Sequence, residues 1–297
     1  MVLKTYQLVS VIHMEKKRYS PITITDIAQA LKINSSTVSR ALSDSPVVKL
    51  STKKIIQEYA IKHNYQPNFA ARSLQNKKTF TIGILLPKVV HEFFGKVLLG
   101  VQRETQKNGY RCLVFPTNDD LKQEINETEN LLNGGADGII MCYKSDGNTD
   151  SHIKELIERR IPLVFVDIAP QNLKVSKVII DDMHAGYMAT KHLLEAGAFQ
   201  IACICGPRNI NNLLRAEGYR KAINESEYEL NSDLIIFNEN LIEGEELGMV
   251  NSKKLLKTYP LLNGVFTSTD MLATGFIKVA KKQNLRVPED IKVIGFS

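Results

Sequence analysis

From Thr79 onward the chain alternates short apolar runs with helix-length amphipathic stretches, and that alternation leaves few folds open. The runs are Thr81–Leu86, Cys112–Phe115, Gly138–Cys142, Leu163–Val166, Val178–Ile180, Ile201–Ile204, Leu234–Phe237, Gly264–Thr267 and Val293–Phe296. Between most of them lie stretches of helical periodicity such as Phe94–Asn108, Ile153–Arg160 and Ala185–Ala196. Strands that are apolar along their whole length must be covered on both faces. Helices crossing between them give parallel, doubly wound sheets. Nine such strands exceed one compact unit here, so the pattern predicts two lobes, about 79–177 and 178–297.

Residues Thr23–Leu42 (TITDIAQALKINSSTVSRAL) precede that body and follow another pattern. Ile27, Ala28 and Leu31 share one helical face, and Val38, Ala41 and Leu42 share another. Asn34 stands where an N-cap would open the second helix, with Ser35, Ser36 and Thr37 in its first turn. Ile55, Ile56, Tyr59 and Ala60 supply a third amphipathic helix that closes a small core. Two short apolar faces buried against each other across a tight turn make a helix-turn-helix. Ser35, Ser36, Ser39 and Arg40 then point outward. Ser36 and Arg40, four apart, share a face that suits a major groove. A small helical hairpin within an enzyme is the bland alternative.

Charge weighs between the two. Residues 1–78 hold 13 Lys/Arg against 4 Asp/Glu, whereas 79–297 hold 25 against 28. The net charge of +6 thus originates in the N-terminal quarter, the electrostatic footprint of a nucleic-acid-binding module. Between the helices and the first strand, Tyr65–Leu74 (YQPNFAARSL) holds a proline followed by a short helix-competent segment that is marginal without a partner.

Other classes find little support. The four cysteines (Cys112, Cys142, Cys203, Cys205) fall mostly in apolar runs and have no metal-ligand spacing with a histidine. They read as core thiols of a reducing, cytoplasmic compartment, and the CxC spacing disfavours an unstrained disulfide. No apolar stretch is long enough to span a membrane, and the short run Leu8–Ile12 lacks a small-residue cleavage site. There is no GxGxxG after the first strand, no P-loop and no nucleophile–histidine motif. His63 and His152 read as surface or packing residues. No catalytic residue, metal or cofactor is expected. Met14 begins a basic lead-in and reads as the natural start, with the earlier residues an upstream extension.

In order, TITDIAQALKINSSTVSRAL, YQPNFAARSL, TIGILLP with HEFFGKVLLGVQ, ADGII, IPLVFVD, LRAEGYRKA, STDMLATG and LRVPEDIKVIGF resemble the lactose-repressor/galactose-repressor (LacI/GalR) family of bacterial transcription factors. The resemblance runs from about Thr23 to Phe296. It implies an all-α helix-turn-helix DNA-binding head plus an α/β two-lobed core like a periplasmic binding protein, with doubly wound parallel sheets. The head would span 23–65, a hinge helix or linker 66–78 and the effector core 79–297, with 1–22 a flexible extension.

Carried over, Ser35, Ser36 and Arg40 match base-facing positions, with Thr37 and Ser39 beside them. Arg40 is the strongest reader, since a guanidinium donates two hydrogen bonds to guanine. The serines stay open between bases, phosphates and merely starting the helix. Thr23, Asn68 and Arg72 would meet the DNA backbone. Leu74 matches the hinge leucine that wedges into the minor groove, or else docks the linker on the core.

The effector would lie between the lobes, outside the carboxyl ends of the strands. Candidates are His91, Glu92 and Phe93 after the first strand, then Asp167, Arg215 and Asp270. Such a cleft suits a small polar effector, a sugar or sugar derivative. Asp270 instead caps its helix on the alternative reading, as Asp182 is expected to do.

Three residues depart from the family. Lys32 stands in the turn where glycine or asparagine is usual, Lys49 replaces a serine N-cap that Ser51 or Thr52 would take over, and Thr269 replaces an asparagine. Relatives run on past VIGF, so a chain ending at Ser297 is expected to be less stable and less well paired. The leading reading is a homodimeric repressor binding a near-palindromic double-stranded DNA operator under effector control. The rivals are a periplasmic-type sugar-binding protein and an enzyme on a doubly wound fold.

Overall fold

The structure, a computed structural model, describes residues 22–66, 78–88, 92–144, 150–170, 172–238 and 244–297. Its contacts divide into two compact units at Thr79/Phe80.

The first unit contains α1 (Ile24–Leu31), α2 (Ser35–Leu42) and α3 (Leu50–Lys62). Thr23 opens α1 with a reciprocal cap. Its Oγ1 accepts from Asp26 N at 3.2 Å, and its own N–H donates to Asp26 Oδ2 at 2.8 Å. The Thr23 hydroxyl and then its amide hold the Asp26 carboxyl below its ordinary value. α1 stops at Lys32, whose φ of 52° and ψ of 43° are left-handed. Ile33 N donates to Ala28 O at 3.0 Å and Lys32 N to Gln29 O at 3.2 Å, which is a Schellman end. The turn therefore needs positive φ at a lysine.

Asn34 and Lys49 are the N-cap residues of α2 and α3, but neither side chain makes a capping hydrogen bond. Ser51 and Thr52 lie inside α3 and do not take over from Lys49. Ile27, Ala28, Val38, Ala41, Ile56 and Ala60 are buried together, flanked by Leu31, Leu42 and Tyr59. Ile55, expected in this core, is 56% exposed. The inward face of α3 runs through Ile56 and Ala60, and Ile55 lies off that stripe.

The second unit begins with β1 (Thr81–Leu86), α4 (Glu92–Lys107), β2 (Arg111–Pro116), α5 (Leu121–Asn133), β3 (Gly138–Met141), α6 (Ser151–Glu158), β4 (Leu163–Val166) and β5 (Ser176–Val178). These strands form a parallel sheet in the order β2-β1-β3-β4-β5. Then follow α7 (Asp182–Glu195), β6 (Ile201–Ile204), α8 (Ile210–Asn224), β7 (Ile235–Ile236), α9 (Gly244–Thr258), β8 (Gly264–Thr267), α10 (Asp270–Lys282) and β9 (Lys292–Ile294). Their sheet is also parallel, ordered β7-β6-β8-β9.

Both sheets are covered on two faces. In β1, Leu85 joins one core while Ile84 and Leu86 join another; in β6, Ala202 and Ile204 face one way and Ile201 and Cys203 the other. The doubly wound expectation rests on this alternation. The run Val178–Ile180 departs from it. The strand is Ser176–Val178, an exposed edge of the first sheet, and Ile179 and Ile180 lie beyond it, 44% and 51% exposed. An apolar run resembles a buried strand until the sheet order places it at an edge. β5 also carries the first sheet one residue past the expected lobe break.

α7 and α8 cross so closely that glycine is needed at the contact. A Cβ on Gly218 would overlap Met183 O and sit 2.5 Å from Tyr187 N; one on Gly186 would overlap Arg215 O and sit 2.8 Å from its carbonyl carbon.

Candidate functional site

On α2, Val38 and Ala41 are buried, which turns Ser35, Ser36 and Arg40 outward; all three are exposed, and Thr37 and Ser39 are half-buried. The serine hydroxyls of the first turn are not spent on capping α2. Arg40 sits in the last turn, where its carbonyl accepts from Ser45 N at 2.9 Å and anchors the following bend. Thr23 is exposed, but its hydroxyl is engaged with Asp26. Asn68, Arg72, Leu74 and His91 lie outside the described residues.

The second cluster lies at the carboxyl ends of the strands. Asp167 follows β4 with a φ of 64°, a left-handed conformation that aspartate tolerates better than most residues. Its Oδ1 accepts from Asn211 Nδ2 at 3.0 Å, so a residue after the first sheet is tied to α8 beside the second. One turn along α8, Arg215 is 7% exposed. Its Nε donates to Asp182 Oδ1 at 2.7 Å and its Nη1 to Ser268 O at 2.7 Å. The guanidinium carbon also lies 4.0 Å from the centre of the Phe296 ring. Asp270 N donates to Phe296 O at 3.0 Å, and the Asp270 carboxylate lies against Gly295, leaving no room for a Cβ there.

Asp167, Arg215 and Asp270 thus belong to one contiguous arrangement joined by Asn211 and Phe296. Glu92 and Phe93 open α4, where Glu92 pairs with Lys96 at 2.7 Å and Phe93 meets Phe94 edge-on at 5.1 Å. Neither contact ties them to the Arg215 cluster.

Two capping expectations are corrected. Thr269, not Asp270, caps α10, accepting from Leu272 N at 3.4 Å. Asp181, not Asp182, caps α7, accepting from His184 N at 2.9 Å. That leaves Asp182 at the first helical position, turned inward and 3% exposed. Burial pushes its carboxyl above the ordinary carboxylate value, and Arg215 pulls the other way. Sequence reasoning missed Asp182 as a partner, along with Asn211, Ser268 and Phe296. The acidic doublet Asp181–Asp182 was the available signal, since one residue satisfies a cap and the other must be held by something else.

Several other reactive side chains among the described residues are packed away. His152 Nε2 lies 2.9 Å from Glu124 Oε1, both buried, and Glu124 Oε2 accepts from Lys144 N at 2.9 Å. His63 is exposed and stacks on Tyr59 at 4.3 Å. The four cysteines are free, with Cys203 and Cys205 sulfurs 3.6 Å apart. Burial, then the Asp167 charge, raises the Cys142 thiol, which is the opposite of nucleophilic activation. Among the described residues, no group of His, Cys, Asp or Glu is placed to hold a metal. No helix among them is long and apolar enough to cross a membrane.

Comparison with known proteins matches both units. Residues 79–297 match the family described as periplasmic binding proteins and sugar binding domain of the LacI family, and residues 23–68 match the bacterial regulatory proteins of the lacI family. Catabolite control protein A of Priestia megaterium is 29% identical over 280 residues, covering 93% of this chain and 82% of its own. The ribose operon repressor of Haemophilus influenzae is 31% identical over 278 residues, covering 92% and 81%. These relatives are named as regulators, not enzymes. The fold is that of the lac repressor dimer bound to operator and the anti-inducer ONPF, with a TM-score of 0.81, 21% identity and coverage of 93% and 82%. The transcription regulator CcpA of Lactococcus lactis has a TM-score of 0.64 at 25% identity, covering 72% and 76%. With a helix-turn-helix unit and a two-sheet parallel core that each match in the same order, the chain belongs to the LacI family of bacterial regulatory proteins.

Proposed function

We propose that this chain is a homodimeric transcriptional repressor, acting in the cytoplasm, whose grip on operator DNA is set by a small polar effector. The observation that carries the DNA half is α2. Its apolar face is consumed by the head's own core, and Ser35, Ser36 and Arg40 are left exposed on a strongly basic segment. In this reading Arg40 donates to a base edge, Thr37 and Ser39 support the register, and Thr23, Asn68 and Arg72 follow the backbone. Leu74 wedges into the minor groove between half-sites.

The effector half rests on the Asp167–Asn211–Arg215–Phe296–Asp270 arrangement, supported by relatives named as ribose operon repressors and a family description that names sugar binding. A sugar would give its hydroxyls to these carboxylates and take hydrogen bonds from the guanidinium, with the Phe296 ring as an apolar wall. His91, Glu92 and Phe93 would close the site from the first sheet. Because Asn211 links Asp167 to the helix carrying Arg215, a ligand there changes how the sheets are held together, which couples it to the DNA-binding head.

The test is fluorescence anisotropy with the tightest duplex recovered by selection from random DNA and with a scrambled duplex, across salt. Arg40→Ala is expected to cost about 1–3 kcal/mol on the selected duplex and little on the scrambled one. Equal losses on both duplexes, or none, would sink the assignment of Arg40 as a base reader.

A further inference from the structure

We infer that Lys32 is a DNA contact in its own right: from the turn before α2 its ammonium pairs with a phosphate of the duplex backbone, beside the groove that α2 enters. The inference rests on the DNA-binding reading above and adds a contact to it. Lys32 ends α1 in the left-handed conformation, with φ of 52° and ψ of 43°, where a glycine would sit without strain and a lysine does not. A backbone outlier that a smaller residue would relieve points to a task for the side chain. That task is not packing, because Lys32 is exposed and lies outside the apolar core of the head.

The charges of the helix pair leave this ammonium unanswered. Residues 22–45 contain two cations, Lys32 and Arg40, and two carboxylates, Asp26 and Asp44. The Asp26 carboxyl accepts from the Thr23 amide at 2.8 Å and from its hydroxyl at 2.7 Å, and Asp44 pairs with Lys53 at 2.7 Å. Lys32 instead lines a hollow between α1 and α2 with Thr25, Gln29, Asn34 and Ser35, and none of the residues around it is acidic. Lys32 and Arg40 stand at opposite ends of α2, one just ahead of its N-cap Asn34 and the other in its last turn. The helix rises about 12 Å from end to end, close to the width of the major groove. With α2 in the groove, Arg40 reaches base edges and the turn ahead of the helix meets the groove wall, where the phosphates lie. An ammonium on a flexible stem suits that place, since it acts as a point charge and reads no sequence there.

The experiment is fluorescence anisotropy of the full chain and its Lys32 variants on the selected and scrambled duplexes, with salt raised to about 1 M. One phosphate contact contributes about 0.9 to the slope of log K against log salt, which is roughly eightfold in affinity between 1 M and 0.1 M. Lys32→Gly and Lys32→Gln should therefore bind both duplexes about eightfold more weakly per head at 0.1 M, with a slope shallower by about 0.9 per head and little difference near 1 M. Lys32→Arg keeps the charge and should keep the parent's slope. The α1 and α2 amides of Lys32→Gly should exchange no faster than the parent's, so that a damaged head is not the cause of the loss. A parent-like slope in either folded neutral variant overturns the inference and leaves the groove reading to Arg40→Ala. A loss confined to the selected duplex is the mark of a base contact and overturns it as well, as does a loss that salt does not alter or a Lys32→Arg slope that falls like the neutral ones. If Lys32→Gly does not fold, Lys32→Gln decides by the same readout. Failure of the parent to bind any duplex overturns the DNA-binding reading and this inference together.

Discussion

The α7–α8 crossing can be tested by adding a single methyl group. In Gly218→Ala the new Cβ would overlap Met183 O, lie 2.5 Å from Tyr187 N and 3.0 Å from the carbonyl carbon of Gly186. Alanine brings a gain of about 0.5–1 kcal/mol over glycine in a helix interior, and the buried methyl up to about 0.8 kcal/mol more. Against this, carbon contacts settle near 3.5–4.0 Å, so the helices must part by roughly 1 Å. Overpacking costs about 1–3 kcal/mol when side chains can turn aside. Here every opposing atom is backbone, so the cost lies at or above the top of that range and exceeds the gain.

A net loss of about 2 kcal/mol corresponds to a fall in melting temperature of roughly 4–8 °C for a unit of this size. Gly100→Ala is the control. Gly100 sits exposed in α4 with nothing within 4 Å of a built Cβ, so the same change should stabilise by about 0.5–1 kcal/mol. Differential scanning calorimetry of the full chain reads both. A Gly218→Ala protein that melts at or above the parent, or a Gly100→Ala protein that falls equally far, would refute the claim that space at the crossing decides the sign.

Two further outcomes follow from the same structure. Lys32→Gly removes a side chain from a left-handed turn and should stabilise the head by about 1 kcal/mol, read as slower amide exchange in α1 and α2; unchanged or faster exchange counts against strain at that turn. Asp290 is held down to about 2 by hydrogen bonds from Arg286. Its folded value is depressed, so its contribution is present above the ordinary value of 3.8 and fades as pH falls through about 2. Asp290→Asn should lower the melting temperature at neutral pH, and the gap to the parent should close over that window; a gap independent of pH would remove the ion pair as its cause.

How much was legible in the sequence depends on how far apart the interacting residues lie. The inward Val38 and Ala41 are settled within one helical turn, and their residue types announce them; the cap at Thr23 is equally local but was read only as a DNA contact, and a lysine does not announce the left-handed turn at position 32. The alternation that makes both sheets doubly wound is equally local. Ile55 and the run at Val178 were misread because an apolar side chain states a preference for burial without saying whether a neighbour has taken the place, or whether a sheet ends there.

The Arg215 cluster shows why distant partners resist such reading. Asp181 and Asp182 are chemically identical, and only the close approach of α8 makes one a cap and the other a counterion. That approach is set by Gly186 and Gly218, one helical turn beyond Asp182 and Arg215 on their own helices. In the sequence these glycines look like weak points in two helices. In the fold they allow backbone to touch backbone, and that contact brings a guanidinium and a carboxylate 33 residues apart to within 2.7 Å. The buried ion pair therefore depends on two residues without side chains. A methyl at Gly186 should part the helices and loosen the ion pair, read as faster amide exchange at the start of α7 in Gly186→Ala than in the parent; unchanged exchange there would count against the glycine contact as what holds the pair.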